Sequence, residues 1–394
     1  MTIARPAADL ERAEAEAEAQ AAAVEAEVIE RAKAAAYEPP FRPSLIGWFF
    51  RLTFAFMLAA LVLVLPLARP LSDVRLFSQA AIFAIIGLSL NVLLGYTGQI
   101  SLGHQAFVGI GSFASAYLVT VQQLPFAAAL LVAMAVGGLQ ALVLGLVALR
   151  IRGLYFALVT LSYGTVASDS LFGITKFTGG GSGQAAPLPS FAGTPHRYYY
   201  FCLLVLAAVV WVDYRMMKTK GGRALLALRE NPRVASTFGI NVKAFTLFAF
   251  VVAGVFAGLG GALLAHKNEV VQAQDYNFQL ALIFVIMTVV GGLRSRSGVV
   301  VGSAFFALLT SGYLIEKAKV ESLFRFLADN TFIPFLSKEV AALVLGPLLL
   351  LLTLTLYPGG IGQQIRPVQR WLAGHRFNLH DRGDKEVQIS DVRA

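Results

Sequence analysis

The sequence predicts an all-α polytopic membrane protein of about ten transmembrane helices, with a broken or re-entrant segment and both termini cytoplasmic. Three observations predict it. Of 394 residues, 57% are apolar and only 14% charged, whereas soluble domains carry about 25% charged residues. Mean hydropathy is +0.68, and the apolar residues fall in runs near the ~20 that a bilayer core requires of a helix. Lys and Arg also concentrate in alternate connections between those runs, as residues retained in the cytoplasm do.

The elements follow in order. Residues 1–44 form a cytoplasmic tail. Asp9–Ala36 is rich in Ala and Glu, good helix formers, yet lacks a sustained heptad of large apolar residues, so it reads as solvated and partly helical. No cleavable signal peptide is legible there. Pro39, Pro40 and Pro43 separate the tail from the spans. The membrane domain, 45–361, holds ten candidate spans: 45–67, 76–95, 103–121, 126–149, 153–173, 198–214, 244–266, 279–293, 298–316 and 339–357. A polar tail, 362–394, completes the chain.

Between the sixth and seventh spans runs Arg215–Lys243, with seven Lys or Arg against one acid, Glu230. Placing this loop inside fixes the orientation of every other connection and puts 23 of the 32 Lys and Arg on the cytoplasmic side, counting Arg51 near the inner end of the first span. The loop also carries helix signals. Arg223–Arg229 can form a short helix, Pro232 can open the next turn, and Gly239 can end it. An ordered basic loop is a candidate docking surface.

Several function classes are excluded. The net charge of +9 fits anionic lipid and cytoplasmic retention, not nucleic acid, since aromatic stacking platforms are missing. One cysteine, Cys202, permits no disulfide within the chain and no cysteine metal site. No G-x-x-x-x-G-K-[ST] occurs, so the chain has no P-loop ATP site of its own. No metal site or cofactor is expected.

Two polar interruptions mark a pathway, because unwound or polar segments at membrane depth line cavities. The first is Asn91–Ser112, NVLLGYTGQISLGHQAFVGIGS; the second is Thr160–Ser170. From these, Asn91, Tyr96, Gln99, Ser101, His104, Gln105, Thr160, Ser162 and Thr165 are the candidate path residues. His104 taken singly reads as a packing histidine. Asp169 is the one acid weighed within the spans, near the outer end. Gly254, Gly258, Gly260 and Gly261, and again Gly298 and Gly302, give small-residue faces suited to close helix packing within the chain.

Four segments together resemble a family: GLSLNVLLGYTGQISLGHQAFVGIGSF (Gly87–Phe113), RIRGLYFALVTLSYG (Arg150–Gly164), GRALLALRENPRVASTFGINV (Gly222–Val242) and FVVAGVFAGLGGALLA (Phe250–Ala265). With GGL at Gly291–Leu293 and YPGGI at Tyr357–Ile361, they are similar to permease subunits of branched-chain amino acid ABC importers, more closely the M-type subunit. The resemblance implies a second permease, usually a different one, two cytoplasmic ABC ATPases that bind ATP, and an extracytoplasmic solute-binding protein, in a bacterial plasma membrane. It puts Gly222, Arg223, Ala224, Leu228, Arg229, Glu230 and Gly239 on the coupling motif. An apolar side of that helix (Ala224, Leu225, Leu228) could then fit a groove on the ATPase. The chain departs from the pattern at Gln105, at Thr165, and after GGL at Arg294-Ser295-Arg296. The expected cargo is a branched-chain or related amino acid. The alternatives are urea, an amide or another small polar solute on the same machinery, or an ion-driven secondary transporter.

Overall fold

The computed structural model describes residues 45–310 except 152, together with residue 355 and residues 359–372. The N-terminal tail, the end of the ninth span, almost all of the tenth, and the C-terminal tail beyond 372 lie outside the described residues.

The chain is built of helices. Helix α1, Leu45–Val64, runs on into a 3-10 turn, Leu65–Ala68. Helix α2, Leu71–Leu90, continues as a π-helix over Asn91–Thr97. After a break come α3, His104–Thr120, and α4, Phe126–Ala148. Helix α5, Leu154–Val166, ends in a second π-turn, Ala167–Leu171. The long α6, Pro195–Lys218, leads into two short helices, α7, Lys220–Glu230, and α8, Pro232–Thr237. Helix α9, Val242–Asn268, is followed by α10, Phe278–Gly291, and α11, Arg296–Thr310. Helix α12 spans Gly360–Leu372. One two-residue antiparallel pair, Gln184↔Val271 and Ala185↔Val270, ties the far end together.

Five stretches are long and apolar enough to cross a membrane: Trp48–Ala68, Leu71–Thr97, Phe126–Ala148, Pro195–Lys218 and Val242–Asn268. Four other expected spans are helical among the described residues but shorter, at α3, α5, α10 and α11. Their shortness has local causes. Gly98, at φ 70°, breaks the chain before α3, and the π-turn closes α5 early. Both sequence-predicted polar interruptions therefore coincide with π-helices, the form helices take where the regular ladder is disturbed at functional sites.

Helix α9 is the centre of the bundle. Its Gly254, Gly258 and Gly261 are buried, and each is met by backbone. Gly258 lies against Ala133 and Gly137 of α4, Gly254 against Gly137 and Ala141, and Gly261 against Val108 of α3. Gly111 of α3 completes the seam on Gly258. Three helices thus approach to backbone contact, which only glycine and alanine allow. Gly302 of α11 packs likewise on Gly291, and Gly298 on Gly291 and Gly362.

The described chain divides into a small unit, residues 45–56 and 368–372, and a large one holding the rest. In the small unit the Arg51 guanidinium lies 5.9 Å from the Trp48 ring centre and 5.5 Å from that of Trp371. Phe54 meets Trp371 edge-on at 5.8 Å. All that follows concerns the large unit.

Candidate functional site

At one end of the bundle the basic loop is folded as the sequence suggested. Thr219 caps α7, its hydroxyl accepting from Gly222 N at 3.4 Å. Asn231 caps α8, its side-chain oxygen accepting from Arg233 N at 3.0 Å and Val234 N at 3.3 Å. Pro232 is the first helical residue, where its missing N–H costs nothing. Gly239, at φ 78°, ends α8. Both helices are too short to persist alone; packing holds them.

That packing corrects one expectation. Leu225 and Leu228 are buried, on a helix packed against this chain's own α6, π-segment and α9, so they do not offer an apolar side to a partner; Gly222 packs on Met217 of α6, and Ala224, though buried, lines the open groove. The open side is different. Arg223 and Glu230 are exposed, and a groove of about 670 Å³ runs between α7 and α8, lined by Lys220, Arg223, Ala227, Val234 and Phe238 among others. Phe238 is 81% exposed. Sequence reasoning passed it over, although an aromatic side chain in a basic loop was the available signal.

Arg229 points inward. It donates to Leu94 O at 3.4 Å and to Gly95 O. Burial, and then the neighbouring Arg294 charge, draw it below the ordinary arginine range. Glu230 pairs with Arg294, whose backbone N donates to Asn91 Oδ1 at 3.1 Å. Tyr96 donates its hydroxyl to Asp213 Oδ2 at 3.0 Å, and Arg296 donates to the same oxygen. Asp213 is fully buried. It lies within the sixth expected span and is a second intramembrane acid that the sequence reading missed. Gln99 is half-buried beside a space of about 20 Å³ shared with Thr97, Leu228, Pro232 and Thr246, room for about one water.

Deeper in the bundle, Ser101, His104, Gln105 and Thr160 are buried. Ser89 Oγ donates to Ala253 O at 2.6 Å. A serine has one hydroxyl hydrogen, so the 2.9 Å contact with His104 Nε2 has the imidazole donating. His104 is therefore the Nε2–H tautomer, and its bare Nδ1 is buried without a hydrogen-bond partner among the described residues. Ser101 Oγ and both amide atoms of Gln105 share that condition. Thr160 pins the break to α5: its hydroxyl accepts from Leu102 N at 3.0 Å and donates to Ala157 O at 2.9 Å. Thr160→Val deletes that acceptor and orphans a backbone N–H. The expected result is a loss of about 1–3 kcal/mol, read as a lower Tm in detergent.

Ser162 and Thr165 stand apart from this group. Both are exposed on the outer face of α5, in line with the exposed Asp169. The nine sequence-predicted path residues thus fall into three places: Asn91, Tyr96 and Gln99 at the loop end, Ser101, His104, Gln105 and Thr160 in the interior, and Ser162 and Thr165 on an open helix face.

At the far end His266 donates from Nδ1 to Pro187 O at 2.7 Å and meets Ser115 Oγ at 3.0 Å. Arg75 pairs with Glu269 at 2.7 Å. Tyr276 is buried, and burial raises its hydroxyl above the ordinary tyrosine range. Among the described residues no group of three or more His, Cys, Asp or Glu is arranged to hold a metal.

Long apolar helices around buried polar breaks, with an ordered basic loop at one end, define a multi-pass membrane permease. The chain belongs to the family described as branched-chain amino acid transport system, permease component, whose model matches residues 74–353. Permeases of this kind carry no ATPase domain and no cofactor of their own. The chain is 28% identical to the high-affinity branched-chain amino acid transport permease LivM of Salmonella typhimurium over 283 residues, 64% of this chain and 67% of that protein. It is 25% identical over 267 residues to the galactose/methyl galactoside import permease MglC of Escherichia coli, 60% of this chain and 77% of that one. It is 27% identical over 217 residues to the guanosine permease NupQ of Bacillus subtilis, 48% and 67% of the two chains. The match spans about two thirds of the length of the LivM relatives. No solved structure matches.

Proposed function

We propose that this chain is the M-type permease subunit of an ATP-driven importer for branched-chain or related amino acids. In this reading it crosses a plasma membrane about ten times with both termini cytoplasmic. It pairs with a second, different permease, two cytoplasmic ABC ATPases and an extracytoplasmic binding protein. The observation that carries the reading is the Lys220–Thr237 helix pair, capped at both starts and fastened to the bundle by Leu225, Leu228 and Arg229. Its outer face offers Arg223, Val234 and Phe238 around one groove. An apolar anchor ringed by charge is the chemistry of a protein docking site. Phe238→Ala removes that anchor from the surface, so Tm should stay within the range of surface substitutions. Co-purification of the ATPase with the permease should fall about tenfold or more. Retention of the ATPase at wild-type stoichiometry would count against this docking face.

Solute passes between the polar groups of the two breaks: Ser101, His104, Gln105 and Thr160 inside, Ser162 and Thr165 on the open face of α5, and Asn91, Tyr96 and Gln99 at the cytoplasmic end. Unpartnered buried amide and hydroxyl atoms favour a polar cargo, since such atoms are costly until something pairs them. The LivM resemblance supports an amino acid, while the galactoside and guanosine relatives share the scaffold with other cargoes. An ion-driven mechanism needs a free intramembrane carboxylate; Asp213 is already engaged by Arg296 and Tyr96, which leaves such a mechanism Asp169, exposed at the end of α5. Uptake into proteoliposomes holding this chain with the proteins of its genomic neighbourhood decides the cargo. Leucine, isoleucine or valine should compete best; competition only by urea, amides, sugars or nucleosides reassigns it.

A further inference from the structure

We infer that the π-helix Asn91–Thr97 is the element that carries motion of the cytoplasmic loop to the solute path, and that Tyr96, Asp213 and Arg296 are its positioning residues. The inference rests on the importer reading above. Three fastenings converge on one turn and a half of π-helix. Arg229 of α7 holds Gly95 O. Arg294, paired with Glu230 of α7, holds Asn91 through its backbone N–H. Asp213, five residues before the end of α6, holds the Tyr96 hydroxyl at 3.0 Å and the Arg296 guanidinium.

These fastenings are unequal. The Arg294–Glu230 pair is open to solvent, with side chains 39% and 69% exposed, and exposed pairs hold weakly. The Asp213 clasp is the strong one: its carboxylate is fully buried, and removing one partner of a buried ion pair is costly. The clasp also joins three elements, the end of α6 that leads into the loop, the π-helix, and the first turn of α11.

Two further observations suit a moving part. Asp213 Oδ1 and Asn91 Nδ2 are buried without a hydrogen-bond partner among the described residues, so each has capacity for a second arrangement. Arg294 sits at φ 67°, a left-handed conformation disfavoured for any residue with a Cβ and typical of strain held at switch regions. Only Gly98–Gly103 separates the π-helix from His104 and Gln105. A shift of Tyr96 therefore reaches the buried polar cluster with little chain in between.

The test is the ratio of solute molecules imported to ATP hydrolysed, in proteoliposomes of the assembled complex. Tyr96→Phe keeps the ring and removes only the donor to Asp213; Asp213→Asn keeps the shape and removes the charge. Both should lower the ratio about fivefold, the factor one buried hydrogen bond of ordinary strength supplies. Asp213→Glu should restore part of it. A ratio equal to wild type in both variants overturns the clasp, whether or not both rates fall together, because a merely structural role changes the amount of working complex and leaves the ratio alone. Wild-type vesicles that import solute without hydrolysing ATP overturn the importer reading itself, and are distinguished before any variant is made.

Discussion

Replacing Gly258 with Leu is expected to eliminate the folded protein. The position sits where three helices meet: its own α9, Ala133 and Gly137 of α4, and Gly111 of α3. A side chain there runs into the backbone of Ala133 and Gly137, and backbone cannot rotate out of the way as a neighbouring rotamer could. Overpacking a well-filled core costs 1–3 kcal/mol or more when relaxation is possible. Here relief requires parting α9 from α4 along a seam of backbone contacts, so an effect of several kcal/mol, comparable to the whole ~5–15 kcal/mol of a typical domain, is expected. The check is the monodisperse fraction on size exclusion after detergent extraction. Gly258→Ala should survive in reduced amount, and Gly258→Leu should be lost.

Arg229→Glu is the second large effect, and it should separate function from stability. The wild-type guanidinium is half-buried and supports the carbonyls of Leu94 and Gly95. Hydrogen bonds to a charged group contribute roughly 1.5–3 kcal/mol, and reversing the charge sets a carboxylate against two carbonyl oxygens. Each 1.4 kcal/mol is a factor of ten, so uptake should fall by about ten- to a hundredfold at matched membrane levels. Arg229→Lys should recover only part, because an ammonium cannot reproduce the planar fork. Arg223→Glu changes a side chain on the outer face and should leave Tm unaltered while weakening attachment of the ATPase.

Much of this molecule was legible in its residues. Apolar run length located nine helices among the described residues. The apolar and basic pattern of Arg223–Arg229, with Pro232 and Gly239, gave the two short helices of the basic loop, although the first begins three residues earlier, at Lys220, where Thr219 caps it. The glycine faces were correctly assigned to packing within the chain. The polar interruptions were found because Gly98 and Gly103 punctuate an apolar run, although sequence periodicity does not distinguish a π-helix from a break.

What was not legible depends on contacts distant in sequence. Nothing in LRENP says that Leu228 and Arg229 turn inward to the π-helix while Glu230 turns outward, since the loop presents apolar and basic residues alike to either side. Asp213 escaped notice at the margin of its span, beside Arg215, where a charge reads as a solvated helix end. Its significance comes from Tyr96, 117 residues away, and from Arg296, 83 residues away in the other direction. The division of Ser162 and Thr165 from Thr160 follows from helix geometry alone, yet which side of α5 faces the bundle is decided by Gly103 and Gly164 packing together.

The most direct measurement is ATP hydrolysis by the reconstituted complex, with and without solute-loaded binding protein, alongside uptake under an imposed ion gradient. The account predicts hydrolysis stimulated by the loaded binding protein, uptake that requires ATP, and loss of both couplings in Arg229→Glu. Uptake that follows the ion gradient and is indifferent to ATP would contradict it.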